Sequence, residues 1–130
     1  MAIQYAHTLI MVRDIRVSKT FYEQTVGIPI VEDFGNWVVF EGGLVLHEAA
    51  SFRKLIGSDA TGAAEPQGAR NIDVYFETDE LALILDRLKN AGVAMIHDIQ
   101  RQDWGQSVFR CYDPDGHVVE IGEPSFLDFA

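Results

Sequence analysis

The first half of the chain alternates between short apolar runs and turn residues. Residues 5–12 are rich in β-forming side chains and predict a buried strand. Asp14 then offers an N-cap, apolar residues recur at helical spacing, and Gly27 supplies a C-terminal stop, which predicts one helix. Three short β-type runs follow, separated by a Gly-Asn turn at 35–36 and a Gly-Gly turn at 42–43. The predicted order is β-α-β-β-β.

The second half repeats this pattern after a stretch of small, polar, glycine- and proline-containing sequence at 51–70. We interpret that stretch as a linker, with room for a short helix at 52–56. A strand at 71–78 follows, then a helix capped by Asp79 and ended by Gly92, then three more β-type runs. The two predicted helix caps and the two glycine stops are each 65 residues apart, which indicates an internal duplication.

These elements predict an α+β fold made of two tandem β-α-β-β-β modules. We place module one at about 1–50 and module two at about 71–124, within a single domain that spans 1–130. Pairing the two four-stranded sheets edge to edge would bury their edges and form one cupped, mixed β-sheet. Side chains of one strand parity would then line the cup, and the other parity would face the helices.

Charge and cysteine content narrow the function classes. The chain has 20 acidic and 10 basic residues, a formal net charge of −10, and one cysteine. This balance is the opposite of a nucleic-acid-binding footprint and favours a metal ion or a cationic small molecule. A single cysteine excludes an internal disulfide, and the sequence lacks both a signal-peptide pattern and a long apolar run. We therefore expect a cytoplasmic protein that binds neither nucleic acid nor membrane.

Three segments resemble a known superfamily. YAHTLIMVRDI and KTFYEQTVG are similar to the opening of glyoxalase-type modules, and WGQSVFRCYDPDGHVVEIGE is similar to their closing hairpin. The chain thus resembles the vicinal-oxygen-chelate superfamily of glyoxalases, bleomycin-resistance proteins and extradiol dioxygenases, over nearly its whole length. In metal-dependent members, the first and the last strand of each module carry one metal ligand each.

Carried over by position, this resemblance implies His7 and Glu120 as metal ligands. The first module's closing-strand ligand falls on His47, or on Glu48 if the register shifts by one residue. The fourth ligand, commonly a histidine, falls on Asp73, where the sequence departs from the enzyme pattern. Imidazole and carboxylate ligands suit zinc, nickel, manganese, cobalt or ferrous iron. Without Asp73, the other three would form a two-histidine, one-carboxylate face with open coordination positions.

Four further side chains are candidates for substrate binding. Trp37 and Trp104 would stack on a planar or cationic ligand if they lie at the rim of the cup, or else would anchor a core or a dimer interface. Tyr75 shares the strand parity of the aspartate at position 73. Arg110 precedes the cysteine on a strand, so one of the two faces the cleft.

The sequence leaves three functions open. The first is a metal-dependent enzyme of the glyoxalase or dioxygenase type, with Glu120 as catalytic base on a small substrate with vicinal oxygens. The second is a bleomycin-resistance-like protein that sequesters a cationic aromatic molecule without turnover. The third is a partner-binding or sensor domain with a vestigial cup. Members of the superfamily usually dimerise, so the resemblance also implies a homodimer.

Overall fold

The chain forms two four-stranded mixed sheets, each with the order and helix placement of one β-α-β-β-β module. The computed structural model describes residues 2–125. Its strands are β1 (Leu9–Val12), β2 (Ile30–Asp33), β3 (Trp37–Phe40), β4 (Val45–Glu48), β5 (Asp73–Glu77), β6 (Met95–Arg101), β7 (Ser107–Tyr112) and β8 (Val118–Gly122). Its helices are α1 (Ile15–Thr20), which continues as a π-helical segment (Phe21–Val26), α2 (Ala49–Leu55) and α3 (Leu81–Asn90). The predicted duplication is confirmed.

These elements belong to two compact units, one of which ends at Gln67 while the other begins at Gly68. The first contains a sheet of order β1-β4-β3-β2, and the second a sheet of order β5-β8-β7-β6. In both sheets the first and last strand of the module run parallel, and the remaining pairs are antiparallel. This arrangement places the opening and closing strands of each module side by side.

The first unit's core lies between its sheet and α1. On this side, alternate residues of β1 and β3 and Leu46 of β4 are at most 3% exposed, and Tyr22 packs edge-on against Phe40 with ring centroids 6.0 Å apart. Asp14 caps α1 as predicted, because its carboxylate accepts a hydrogen bond from the Arg16 N–H at 3.0 Å. Gly27 ends the π-helical segment with φ of 100°, a left-handed conformation that favours glycine.

The hairpin between β3 and β4 follows the sequence pattern closely. Gly42 and Gly43 both have positive φ, 88° and 101°, and the Phe40 N–H donates to the Leu44 carbonyl at 2.8 Å. The Gly43 N–H also donates to the Phe40 carbonyl at 3.2 Å, so residues 41–43 form a three-residue loop in which the two glycines supply the positive φ.

Three expectations about element bounds were wrong. β1 begins at Leu9 rather than at residue 5, so His7 precedes the strand and is exposed. The short helix expected at 52–56 is present as α2, but it begins at Ala49, directly after β4, and ends at Leu55. The N-cap of α3 is Glu80 rather than Asp79, and the Glu80 N–H donates to the Thr78 hydroxyl at 3.0 Å.

In the second unit, the helix-facing side of the sheet is apolar and the opposite side is polar. Phe109, Cys111, Val119 and Ile121 are all at most 2% exposed. Burial, and then the nearby Asp113, raises the pKa of the Cys111 thiol to about 12, so this cysteine packs as a small apolar group. The polar side carries Tyr75, Arg110 and Glu120. Within residues 2–125, no helix is long and apolar enough to cross a membrane.

Candidate functional site

In the first unit, the two predicted histidine ligands lie at different levels of the sheet. The parallel ladder between β1 and β4 pairs Leu9 with Val45 and Met11 with His47. His7 is four residues before Met11, which corresponds to about 13 Å along an extended strand. It lies instead beside Gly43, with Nδ1 3.8 Å from where a Cβ would stand on that glycine. Within this unit the sheet therefore separates His7 from His47.

His47 is held in an aromatic environment on the sheet face opposite α1. It is 6% exposed, lies parallel to Trp37 with ring centroids 6.5 Å apart, and meets the Phe52 ring edge-on at 5.2 Å. Its Nδ1 lies 3.1 Å from the Glu48 carbonyl. Because a carbonyl only accepts, Nδ1 carries the proton and Nε2 carries the lone pair.

The β3–β4 ladder shows which of His47 and Glu48 lies on the aromatic face of the sheet. His47 pairs with Trp37 across the ladder and shares its face. Glu48 points to the other face, where its carboxylate accepts a hydrogen bond from the Ser51 hydroxyl at 2.7 Å. Trp37 in turn stacks on Phe34 at 4.0 Å with an interplanar angle of 14°. Trp37 thus belongs to a row of stacked rings.

In the second unit, the polar sheet face carries an ion pair at its centre. The ladders place Tyr75, Glu120, Arg110 and His97 side by side across β5, β8, β7 and β6. Arg110 Nε donates to Glu120 Oε1 at 2.9 Å, and both side chains are largely buried. Because the guanidinium is positively charged and the carboxylate negatively charged, this contact is a charge-assisted hydrogen bond.

The two other nitrogens of the Arg110 guanidinium form hydrogen bonds with uncharged acceptor atoms. Nη1 lies 3.0 Å from His97 Nε2, and Nη2 donates to Gln102 Oε1 at 3.1 Å. His97 Nδ1 lies 2.7 Å from the Asp98 carbonyl, so Nδ1 carries the proton and Nε2 accepts from Arg110. This set of contacts fixes the plane of the guanidinium.

Asp73 lies near Glu120, and the interaction between their two carboxyl groups disfavours ionisation of Asp73. The residue itself is exposed, while its carboxyl group is partly desolvated. Burial, the hydrogen bond to Glu120 and the charge of Glu120 raise the pKa of Asp73 to about 7, although Arg110 opposes the shift. The structure thus brings together two predicted metal ligands, Asp73 and Glu120, with Arg110.

A second chain of hydrogen bonds joins the aromatic residues on this face. Trp104 Nε1 donates to Gln106 Oε1 at 2.8 Å, and Gln106 Nε2 donates to the Tyr75 hydroxyl at 2.6 Å. The Tyr75 hydroxyl donates to Glu77 Oε2 at 2.5 Å. Burial, and then the bond to Glu77, raises the pKa of Tyr75. Trp104 and Tyr75 are still 50% and 40% exposed, so their rings are available to a ligand.

Neither unit, taken alone, has a donor set that fits a divalent metal ion. Among residues 2–125, no group of three or more His, Cys, Asp or Glu side chains within a unit is placed to hold one. The two carboxyls in the second unit are engaged with each other, and Glu120 is paired with Arg110. The imidazole of His97, on the same face, lies against the guanidinium. Arg110 supplies the positive charge beside Glu120 that a metal ion would otherwise provide.

Three residues of this face were missed by the sequence reasoning. His97, Gln102 and Gln106 each bind a predicted site residue. Simple counting along β6 does not align His97 with Arg110, because the β6–β7 ladder shifts register on both sides of His97. Gln106 belongs to a turn, where sequence parity gives no direction for a side chain.

The chain matches known proteins over almost its whole length. The model of the glyoxalase-like domain family matches residues 5–125. A solved protein of unknown function from Agrobacterium tumefaciens is 40% identical, with a TM-score of 0.87, and the match covers 96% of this chain and 97% of that one.

Two more distant structures are similar in fold. A glyoxalase/bleomycin resistance protein/dioxygenase from Nocardioides is 22% identical, with a TM-score of 0.72 over 98% of this chain and 92% of that one. A lactoylglutathione lyase from Agrobacterium tumefaciens is 23% identical, with a TM-score of 0.69 over 97% of each chain. Together with the two mixed sheets, these similarities establish the glyoxalase/bleomycin-resistance/dioxygenase fold.

Proposed function

Because the chain belongs to the glyoxalase-like domain family of the vicinal-oxygen-chelate superfamily, we propose that it binds and sequesters a cationic aromatic small molecule. The ligand occupies the polar face of the second unit's sheet. The observation that carries the proposal is the placement of the Asp73 and Glu120 carboxyl groups near Arg110, whose guanidinium pairs with Glu120 at 2.9 Å.

The charges on this face favour a cation. Glu120 is compensated by Arg110 at 2.9 Å, whereas Asp73 has a raised pKa because it lies next to a second carboxyl in a partly desolvated place. A ligand cation beside Asp73 would stabilise its ionised form and replace the missing positive charge. Titratable pairs with shifted pKa values of this kind cluster at functional sites.

The aromatic residues on the same face suit the rest of such a ligand. Tyr75 lies next to Glu120 in the ladder, and Trp104 is linked to it through Gln106. Indole and phenol rings bind planar groups and cations through their faces. The net charge of −10 adds a long-range attraction for cations.

The test compares two ligands that share a ring system. 9-Aminoacridine is a cation at neutral pH, while acridine is largely neutral, so the difference in their dissociation constants isolates the charge. We expect the protein to bind 9-aminoacridine at least tenfold more tightly, about 1.4 kcal/mol, and Asp73→Asn to remove that preference. Asp86→Asn, the same change on the exposed surface of α3, is the matched control and should preserve it. Equal affinity for both acridines, or an Asp73→Asn variant that keeps the preference, would refute the proposal.

A second candidate function is proton transfer on a bound substrate. The pKa of about 7 for Asp73 favours it, because a group that titrates near neutral pH both donates and accepts protons efficiently. In this case Glu120 or Asp73 acts as acid–base catalyst, and ligands would be consumed. Detection of a chemically altered ligand after incubation with native protein, but not with Asp73→Asn, would favour catalysis over sequestration.

We also propose a cytoplasmic homodimer. Its support is the unpaired, buried Cys111, which suits a reducing compartment, and the usual dimerisation of the superfamily. Light scattering that gives a monomer mass at micromolar concentration would contradict the dimer.

A further inference from the structure

Gln106 is a buried side chain that joins two exposed aromatic residues. We propose that Gln106 is a positioning residue that holds Trp104 and Tyr75 as the subsite for the aromatic part of the ligand. This inference rests on the proposed function. Gln106 is 6% exposed and comes from the turn before β7, whereas Tyr75 lies on β5, at the far edge of the same sheet.

The hydrogen bonds of Gln106 have one possible direction. An indole nitrogen only donates, so Trp104 must donate to the Gln106 carbonyl oxygen. The Tyr75 hydroxyl donates its one proton to Glu77, so its oxygen accepts from Gln106 Nε2. The second Nε2 hydrogen is donated to the Glu123 backbone carbonyl at 2.6 Å. Both amide hydrogens and the carbonyl oxygen are therefore committed, and the amide cannot flip without breaking all three bonds.

The neighbouring glycine leaves space for this amide. A Cβ added to Gly122 on β8 would lie 2.7 Å from Gln106 Nε2 and 3.0 Å from Val108 Cγ1. No positive φ is required at this position. Gly122 is thus explained by the close approach of the Gln106 side chain rather than by backbone conformation.

The positions of these groups limit the shape of the ligand. Tyr75 and Asp73 are two residues apart on the same strand and face, which corresponds to about 7 Å. A ring on the Tyr75–Trp104 subsite would therefore have its cationic group about 7 Å from the ring's contact with Tyr75, if that group reaches Asp73. The subsite selects the ring, and Asp73 selects the charge.

Two substitutions separate positioning from general structural damage. Gln106→Glu keeps an oxygen acceptor for Trp104 but removes the donors to Tyr75 and Glu123, whereas Gln106→Leu removes every bond. Gln100→Leu makes the same change at an exposed position of β6 and is the matched control. The indole N–H resonances of the two tryptophans, Trp37 and Trp104, report the effect by NMR, with Trp37 in the first unit as internal reference.

We expect Gln106→Leu to shift the Trp104 indole resonance, leave that of Trp37 in place, and weaken 9-aminoacridine binding at least tenfold. Gln106→Glu should keep the Trp104 resonance closer to the native position and lose less affinity. The midpoint of the pH dependence of binding should stay near 7 in both, because Asp73 is untouched.

An unchanged Trp104 resonance in Gln106→Leu, or native affinity in that variant despite a shifted resonance, would overturn the role of Gln106. Loss of binding in Gln100→Leu of the same size would also overturn it. These failures differ from failure of the proposed function, which appears in the native protein as equal binding of charged and neutral acridine.

Discussion

Matching positions in the two units carry different chemistry. In the first unit, the ladder between β3 and β4 pairs Trp37 with His47, and their rings lie parallel in an aromatic row. In the second, the ladder between β7 and β8 pairs Arg110 with Glu120, which form an ion pair. The same backbone arrangement thus supports a packed stack in one module and a charged face in the other. This difference supports the proposal that the ligand binds in the second unit.

The surroundings of the two pairs reinforce this difference. His47 is enclosed by rings and a backbone carbonyl, so its environment is filled by the protein itself. Beside Glu120, in contrast, burial and a like-charged neighbour raise the pKa of the Asp73 carboxyl to about 7. The ionised form of Asp73 is therefore destabilised. A protein retains such a destabilised group most readily where it is used.

The largest expected effect comes from breaking the ion pair of the second unit. Glu120→Gln leaves the largely buried Arg110 without its anion, so we expect the free energy of unfolding to fall by about 2 kcal/mol, less than for a fully buried pair. Asp98→Asn, which breaks the exposed pair with Lys89, should cost under about 1 kcal/mol. Chemical denaturation measures both changes. Equal losses would show that the Arg110–Glu120 pair contributes no more to stability than an exposed ion pair.

A smaller effect is expected from pH on ligand binding. A bound cation favours ionised Asp73, so below the pKa of about 7 binding must release a proton, and affinity for 9-aminoacridine falls as pH falls. The limit is tenfold, about 1.4 kcal/mol, per pH unit. Above pH 7 affinity should level off, and Asp73→Asn should show a flat profile. Calorimetric titration between about pH 5.5 and 8.5, on both sides of the pKa of Asp73, measures the affinity. A native profile as flat as that of the variant would contradict the predicted pH dependence.

The smallest effect is expected in the first unit at His7. This side chain is exposed and precedes β1, four residues before the ladder partner of His47, which corresponds to about 13 Å of extended backbone. We expect His7→Ala to change the free energy of unfolding by less than about 0.5 kcal/mol and to leave metal uptake unchanged. Elemental analysis of protein purified without chelator measures the uptake. Stoichiometric divalent metal that disappears in His7→Ala would show that the metal-dependent interpretation is correct.

Local chemistry made much of the fold predictable from the sequence. Asp14 as a helix cap, Gly27 as a stop and the glycine pair at 42–43 act through hydrogen bonds and φ preferences within a few residues. The β-forming run that begins at residue 5 was misleading for a physical reason. The β-propensity of a segment does not determine where a partner strand pairs with it, and the ladder with β4 begins only at Leu9.

The site was less predictable because its contacts depend on register and on loops. Asp73 and Glu120 could be placed near each other from the duplication and the resemblance. The role of Arg110 as partner of Glu120 depends on the β7–β8 register, and that of His97 on a ladder interrupted by two irregularities. Gln106 reaches Tyr75 from 31 positions later in the chain, which no local pattern encodes.

The most direct test asks which unit the ligand contacts, since each contains one tryptophan. Titration of the native protein with 9-aminoacridine, followed through the two indole N–H resonances, reports Trp37 and Trp104 in one experiment. We expect the Trp104 resonance to move with saturation while that of Trp37 stays fixed. Movement of Trp37 with Trp104 unchanged would place the ligand on the aromatic row of the first unit and contradict binding at the polar face of the second unit.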